Sequence, residues 1–122
     1  LDVISIQLNS LQRNNIPFKD AGIEQVWEFA HPDNKRLTGP LEKFKKMIYG
    51  KSYQMLIGHE NSEIKILSKD ENRLVYEVFI LSSDKKRYSY IWQIEKVKTN
   101  GSLKNCWMTT SVSSPKFLGE VI

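Results

Sequence analysis

The chain has one cysteine, Cys106, two histidines, His31 and His59, and no long apolar run. Each shortage excludes a class of protein. A single thiol forbids an intrachain disulfide and a cysteine-based zinc site, and two histidines are too few for a histidine cluster, so no metal and no cofactor is expected. No stretch approaches the roughly 18 apolar residues of a membrane span, and no membrane partner is expected. Phosphate-binding glycine loops, hydrolase elbows and zinc signatures are missing as well. The chain opens LDVISIQLNS, without a basic leader region or an initiator methionine. The expected setting is the reducing cytoplasm, with a plastid stroma allowed if a leader has been removed.

Arginine is also scarce: the net charge of +4 is carried by 14 lysines against 4 arginines. Nucleic-acid readers favour arginine forks and aromatic platforms within a contiguous basic stripe. Here the lysines are scattered, and the densest groups, KFKK (Lys43 to Lys46) and DKKR (Asp84 to Arg87), fall where helix faces and hairpin tips carry lysine anyway. A nucleic-acid partner is not expected.

What is present is enough for one core. A chain of 122 residues buries about two-thirds of its unfolded surface, so residues 1–122 form a single domain. Three helices are predicted first. Ile4, Leu8 and Leu11 share one face of a helix that Asn14, Asn15 and Pro17 end. In DAGIEQVWEFA, Asp20 is an N-cap, Glu24 suits the first turns, and Ile23, Val26, Trp27 and Ala30 repeat at helical spacing, which points Trp27 to the core. His31 precedes Pro32 and stops this helix near Ala30. In TGPLEKFKKMIYG, Gly39 is the N-cap, Pro40 the first helical residue and Gly50 the stop, with Leu41, Phe44 and Ile48 as the apolar stripe. The corner between them, HPDNKRLTGPLE, places Lys35 and Arg36 before a helix start, where anions bind. Pro40 removes an amide and Glu42 adds a negative charge there, so capping explains the turn better, and PDNKR is left free to orient a partner.

From Ser52 the period shifts toward 2. SYQMLIG is ambiguous, whereas SEIKILS, RLVYEVFILS, KRYSYIWQIEKVK and NCWMTTSV read as strands separated by turn residues. Helices followed by antiparallel strands give an α+β fold. Tyr88, Tyr90, Trp92 and Ile94 alternate with Arg87, Ser89, Ile91, Gln93 and Glu95, so the aromatic set faces the helices. A two-residue loop at Asp84-Lys85 would bury Glu77 opposite Trp92; a three-residue loop sets Val78 there and Glu77 outside. Desolvating a lone carboxylate favours the second. Asn100-Gly101 is the preferred pair for a two-residue hairpin, pairing Ile94 with Trp107 and Trp92 with Thr109. Trp107, Thr109 and Ser111 would then face inward. Trp27, Tyr90, Trp92, Trp107 and Thr109 thus form a candidate pocket for a small apolar ligand, against the plainer reading that they are core. The outward set, Ile91, Phe79, Met108 and Val112, is apolar enough to suggest a homodimer through the outer sheet face.

Three segments in order, DAGIEQVWEFAHPDNKRLTGPLEKFKKMI, YSYIWQIEK and CWMTTSV, resemble a domain-of-unknown-function family within the nuclear-transport-factor-2-like superfamily of α+β cone folds. The resemblance spans about Val3 to Val112. It implies N-terminal helices packed in the concave face of a strongly curved antiparallel sheet. Members of that superfamily include isomerases, dehydratases, ligand binders and dimerising scaffolds, and the fold alone does not choose among them. Its enzymes place an Asp, Glu or His in the cavity, whereas the inner sheet positions here are Tyr, Trp, Ile, Thr and Ser. No catalytic residue is assigned. The expected function is therefore a non-catalytic dimeric module with a small apolar-ligand pocket; the alternatives are an isomerase- or dehydratase-type enzyme using Glu77 or tyrosine hydroxyls, and an adaptor that holds a protein partner. His31 and His59 are expected to be solvated loop residues, and Cys106 a buried structural thiol.

Overall fold

The computed structural model describes residues 3–121. Four helices come first: α1 (Val3–Gln12), α2 (Ala21–Glu28), α3 (Pro32–Thr38) and α4 (Leu41–Ile48). A single 3₁₀ turn, Gln54–Leu56, occupies the segment whose period was ambiguous. A five-stranded antiparallel sheet follows: β1 (Asn61–Lys69), β2 (Arg73–Leu81), β3 (Lys86–Lys96), β4 (Trp107–Val112) and β5 (Lys116–Glu120). The order is β1-β2-β3-β4, with β5 also on β3, so β4 and β5 share one edge of β3 between them.

The helical stripes bury as their spacing requires: Ile4, Leu8 and Leu11 from α1, Ile23 and Val26 from α2, Phe44 and Ile48 from α4. They share one core with Tyr76, Val78, Ile80, Tyr90, Trp92 and Ile94, which are alternate residues of β2 and β3 and hence one face of the sheet. Trp27 is half-buried at the rim of this core. It packs on Phe44 with ring centroids 5.1 Å apart, and the Lys35 ammonium lies 5.2 Å from its ring.

Two elements escaped the sequence reading. PDNKRLT is a helix, started by Pro32 at its first position and by His31, whose Nδ1 accepts from the Asp33 amide. The next helix begins one residue later than expected, at Leu41, with Pro40 rather than Gly39 in the cap position. β5, five residues long, preceded by Pro115 and containing Gly119, is too short to announce itself.

The hairpin registers are corrected by local geometry. Leu81 pairs with Arg87 and Tyr76, not Val78, lies opposite Trp92. The loop does hold three residues, but it closes on Ser82 and Lys86, with Lys85 in the left-handed region at φ 67°. Glu77 faces outward all the same, half-buried between Lys65 and Ile91. Asn100-Gly101 is not a two-residue turn. Val97 bonds to both Asn105 and Cys106, so the loop runs over 98–104, and Ile94 meets Thr109 while Trp92 meets Val112. The offset is even at Thr109, which keeps it inside. A bulge between Gln93 and Ile94 then places Ser111 beside Gln93 on the outer side and Val112 on the inner side, the reverse of the expectation for both.

At the α1–α2 corner, Asp20 precedes α2 at φ 63° and does not cap it with its side chain. Its carboxylate instead accepts from the Tyr49 hydroxyl and from Asn14 Nδ2. Asn14 Oδ1 takes the Ile23 amide at 2.9 Å, so one asparagine ties both helices together. The Tyr49 hydroxyl, working against burial, holds Asp20 below the usual carboxylate range.

Both histidines are buried rather than solvated: His31 is 8% exposed and His59 2%. His59 Nδ1 lies 2.7 Å from the Leu56 carbonyl, and burial pushes its pKa down. Cys106, expected inside, is exposed in the loop before β4. Two acid steps follow. Unfolded His59 binds a proton near pH 6.5 and the folded residue does so only below that. Stability is therefore expected to fall by about 1.4 kcal/mol per pH unit from about pH 6.5 downward, until folded His59 also protonates. His59→Gln should flatten that slope in urea titrations. Asp20, depressed in the fold, contributes stability above 3.8 that is lost as pH falls through its folded value.

Candidate functional site

The side chain at the centre of the molecule is Thr109. Its strand, β4, is held on the side away from β3 by the end of α2: Thr109 N–H donates to the Phe29 carbonyl and the His31 N–H donates to the Thr109 carbonyl, both at 2.7 Å. That fixes Thr109 Oγ1 inside, 4% exposed. The Trp92 indole N–H, a donor only, gives its hydrogen to Oγ1 at 3.1 Å, and the Thr109 hydroxyl gives its own to Gln7 Oε1, also at 3.1 Å. Gln7 Nε2 lies 3.0 Å from the same hydroxyl and 3.4 Å from the Val3 carbonyl. The three residues join α1, β3 and β4 into one polar knot in an apolar core, and among the described residues no buried side-chain nitrogen or oxygen is left without a partner.

A cavity of about 240 Å³ opens above this knot. Its deep walls are apolar: Leu11 of α1, Val26 of α2, Phe44 and Ile48 of α4, Leu56 and Trp92. Its mouth lies between α3, through Asn34, Leu37 and Thr38, and the β4 residues Thr110, Ser111 and Val112. Leu37 is 77% exposed although it lines the opening. The Asn34 amide donates to the Thr109 carbonyl at 3.4 Å and anchors the short helix to the strand.

Trp92 and Thr109, both singled out from the sequence, line this cavity; Trp27, Tyr90 and Trp107 stand elsewhere. Tyr90 is fully buried and donates to the Ser52 carbonyl at 2.8 Å. Trp107 is half-buried opposite Lys96, whose ammonium lies 5.5 Å from its ring. The residues that sequence reading missed are Gln7, Asn34 and Leu37. Gln7 alone carried a signal: it sits at i+3 from Ile4, on the apolar face of α1, where a polar residue needs a reason.

Among the described residues the lining holds no aspartate, glutamate, histidine, lysine or cysteine. Among the described residues its one titratable group is Tyr53, which burial pushes up and whose hydroxyl donates to the Val112 carbonyl at 2.8 Å. Tyr90 behind it is raised by burial too. Both phenols therefore keep their protons at neutral pH and act as hydrogen-bond donors rather than bases. Such a cavity can desolvate an apolar body and offer neutral hydrogen bonds.

The chain was compared with protein-family models, with curated protein sequences and with solved structures, and no match was found in any of the three.

Proposed function

We propose that the chain is a non-catalytic binding module of the nuclear-transport-factor-2-like type whose cavity takes a small, neutral, mostly apolar molecule. The observation that carries this reading is the lining itself: deep apolar walls, a neutral polar rim at Asn34, Thr38, Thr110 and Ser111, and no ionic side chain among the described residues. A buried charge on the ligand would meet no counter-charge, which costs several kcal/mol. A cavity of roughly 150 Å³ admits a benzene-sized molecule, so 240 Å³ suits about ten heavy atoms. The helix-then-sheet order and the inward aromatic face support the superfamily reading. An enzyme of the isomerase or dehydratase kind finds no support, because Glu77 faces away from the core and the described residues of the cavity include no other acid.

The test uses 2-naphthol and 2-naphthoate, of nearly equal size and opposite in charge state at neutral pH. Naphthol is expected to quench Trp92 emission saturably at micromolar concentrations and naphthoate to bind at least tenfold more weakly. Met47→Trp, which fills the cavity from α4, should abolish the naphthol response. Equal binding of both probes, or of neither, would overturn the reading.

The outer sheet face supports the dimer proposal. Ile91 is 38% exposed there, and Phe79, Val75 and Leu81 are half-buried around it. Lys65 and Glu77 sit opposite each other on the same face and supply a polar surround. Sedimentation is expected to give a dimer at micromolar concentration that Ile91→Glu converts to monomer; a wild-type monomer under those conditions removes this part of the proposal.

A further inference from the structure

A second cleft, of about 220 Å³, lies beyond the cavity, between His31, Asp33 and Arg36 on one wall and Asn72, Lys96 and Lys98 on the other. His31 decides what it could hold. The residue is more than nine-tenths buried, and its Nδ1 accepts the Asp33 N–H at 3.1 Å. An imidazole nitrogen that accepts a hydrogen bond carries no proton, so the ring hydrogen sits on Nε2. The Asp33 carboxylate, 3.7 Å from Nδ1, is therefore not its partner. Among the described residues Nε2 has no acceptor, yet no buried side-chain nitrogen lacks a partner. Nε2 must then reach the surface, and it does so where His31 lines the cleft. It is a donor of fixed tautomer, presented to the cleft at the edge of an otherwise buried ring.

The charges around it favour an anion. Asp33 is answered by Arg36, whose guanidinium has five N–H groups and keeps some of them free. The Lys98 ammonium contacts only the neutral Asn72 amide oxygen, and Lys96 lies over the Trp107 ring. Neither lysine is in an ion pair among the described residues. Glu95, which accepts from Gln93 at 3.4 Å, is the one carboxylate of the cleft not paired, and the two lysines outnumber it. We propose that this cleft is a binding site for a phosphate-class oxyanion, with His31 Nε2, Arg36 and Lys98 as donors. Donors arriving from the start of α3 on one side and from the loop after β3 on the other suit a tetrahedral group with three free oxygens better than a planar carboxylate.

The experiment is a nuclear magnetic resonance titration of histidine-labelled full chain at constant ionic strength, with inorganic phosphate in one arm and glycerol 3-phosphate in the other. The His31 ring signals are expected to shift saturably at millimolar anion while those of His59 stay still. Tighter binding of the ester assigns the site to a phosphorylated metabolite, equal binding assigns it to free phosphate, and both support the proposal. Lys98→Ala, at an exposed position, should weaken binding about tenfold. His31→Asn keeps an acceptor for the Asp33 amide but removes the Nε2 donor, and should fold normally and bind more weakly by a similar factor. A His31 shift that follows chloride equally well, or that is unchanged in Lys98→Ala, would overturn the proposal.

Discussion

Gly22→Ala is expected to destabilise the fold by about 3–5 kcal/mol. A Cβ at this position would stand 2.0 Å from the Ser10 carbonyl oxygen and 2.8 Å from Asn14 Cα, backbone of α1 and of the turn that follows it. Flexible side chains could move aside; backbone cannot without displacing α1. Moving α1 would also break the bonds from the Gly22 amide to the Asn14 carbonyl and from the Ile23 amide to Asn14 Oδ1, both 2.9 Å. Against a total stability of about 5–15 kcal/mol, one methyl group removes a large share. Urea unfolding followed by tryptophan emission measures it, with Gly50→Ala as the comparison. There an added Cβ would come no closer than 3.1 Å to its neighbours, and a much smaller loss is expected.

The second large effect is expected at Thr109→Val. The substitution keeps the shape of the side chain and deletes the one atom that accepts the Trp92 indole hydrogen and bonds Gln7. The Trp92 indole N–H and Gln7 Oε1 are then buried without a partner, at about 1–3 kcal/mol each. A loss of about 2–4 kcal/mol is expected. Gln7→Leu alone should cost less, because Thr109 still serves Trp92. The double variant should cost less than the two singles together, since the second substitution removes a group that the first had already orphaned. Additive losses in that double-mutant cycle would mean that the three residues do not act as one unit.

The difference between what was readable in the sequence and what was not follows the range of the interactions. Ile4, Leu8, Leu11, Phe44 and Ile48 were found because helical period is a local property. The inward face of β2 and β3 was found because alternation is local too, and because burying Glu77 is costly in any register. The errors lie where one residue decides a longer path. A left-handed Lys85 set one hairpin register, and a bulge at Gln93/Ile94 exchanged Ser111 for Val112. The candidate site suffered accordingly. Trp92 and Thr109 were identified, but Tyr90 and Trp107 were grouped with them by face alone. Asn34 and Leu37 lie on a helix that charge and proline had disguised as a loop. His31 was dismissed because it falls in a turn between two helices, where a histidine is expected to be solvated, whereas its neighbours in space, brought by β3 and β4, bury it.

The same pairing that seats Thr109 bears on how the molecule avoids its own kind of chain. A sheet this rich in Val, Ile and aromatic residues offers unpaired edges on which another β-strand could grow. On one flank, β4 is blocked at Thr109, whose outer amide and carbonyl bond to Phe29 and His31. On the other, β1 carries a register break between Ile66 and Ser68 and the side chains of Lys65 and Lys69. Ile66 and Leu67 are largely exposed beside that break. An incoming strand would have to match a bent ladder and bury lysine ammoniums to cover them. Straightening that edge, rather than weakening the core, would be the shortest route from this fold to a fibril.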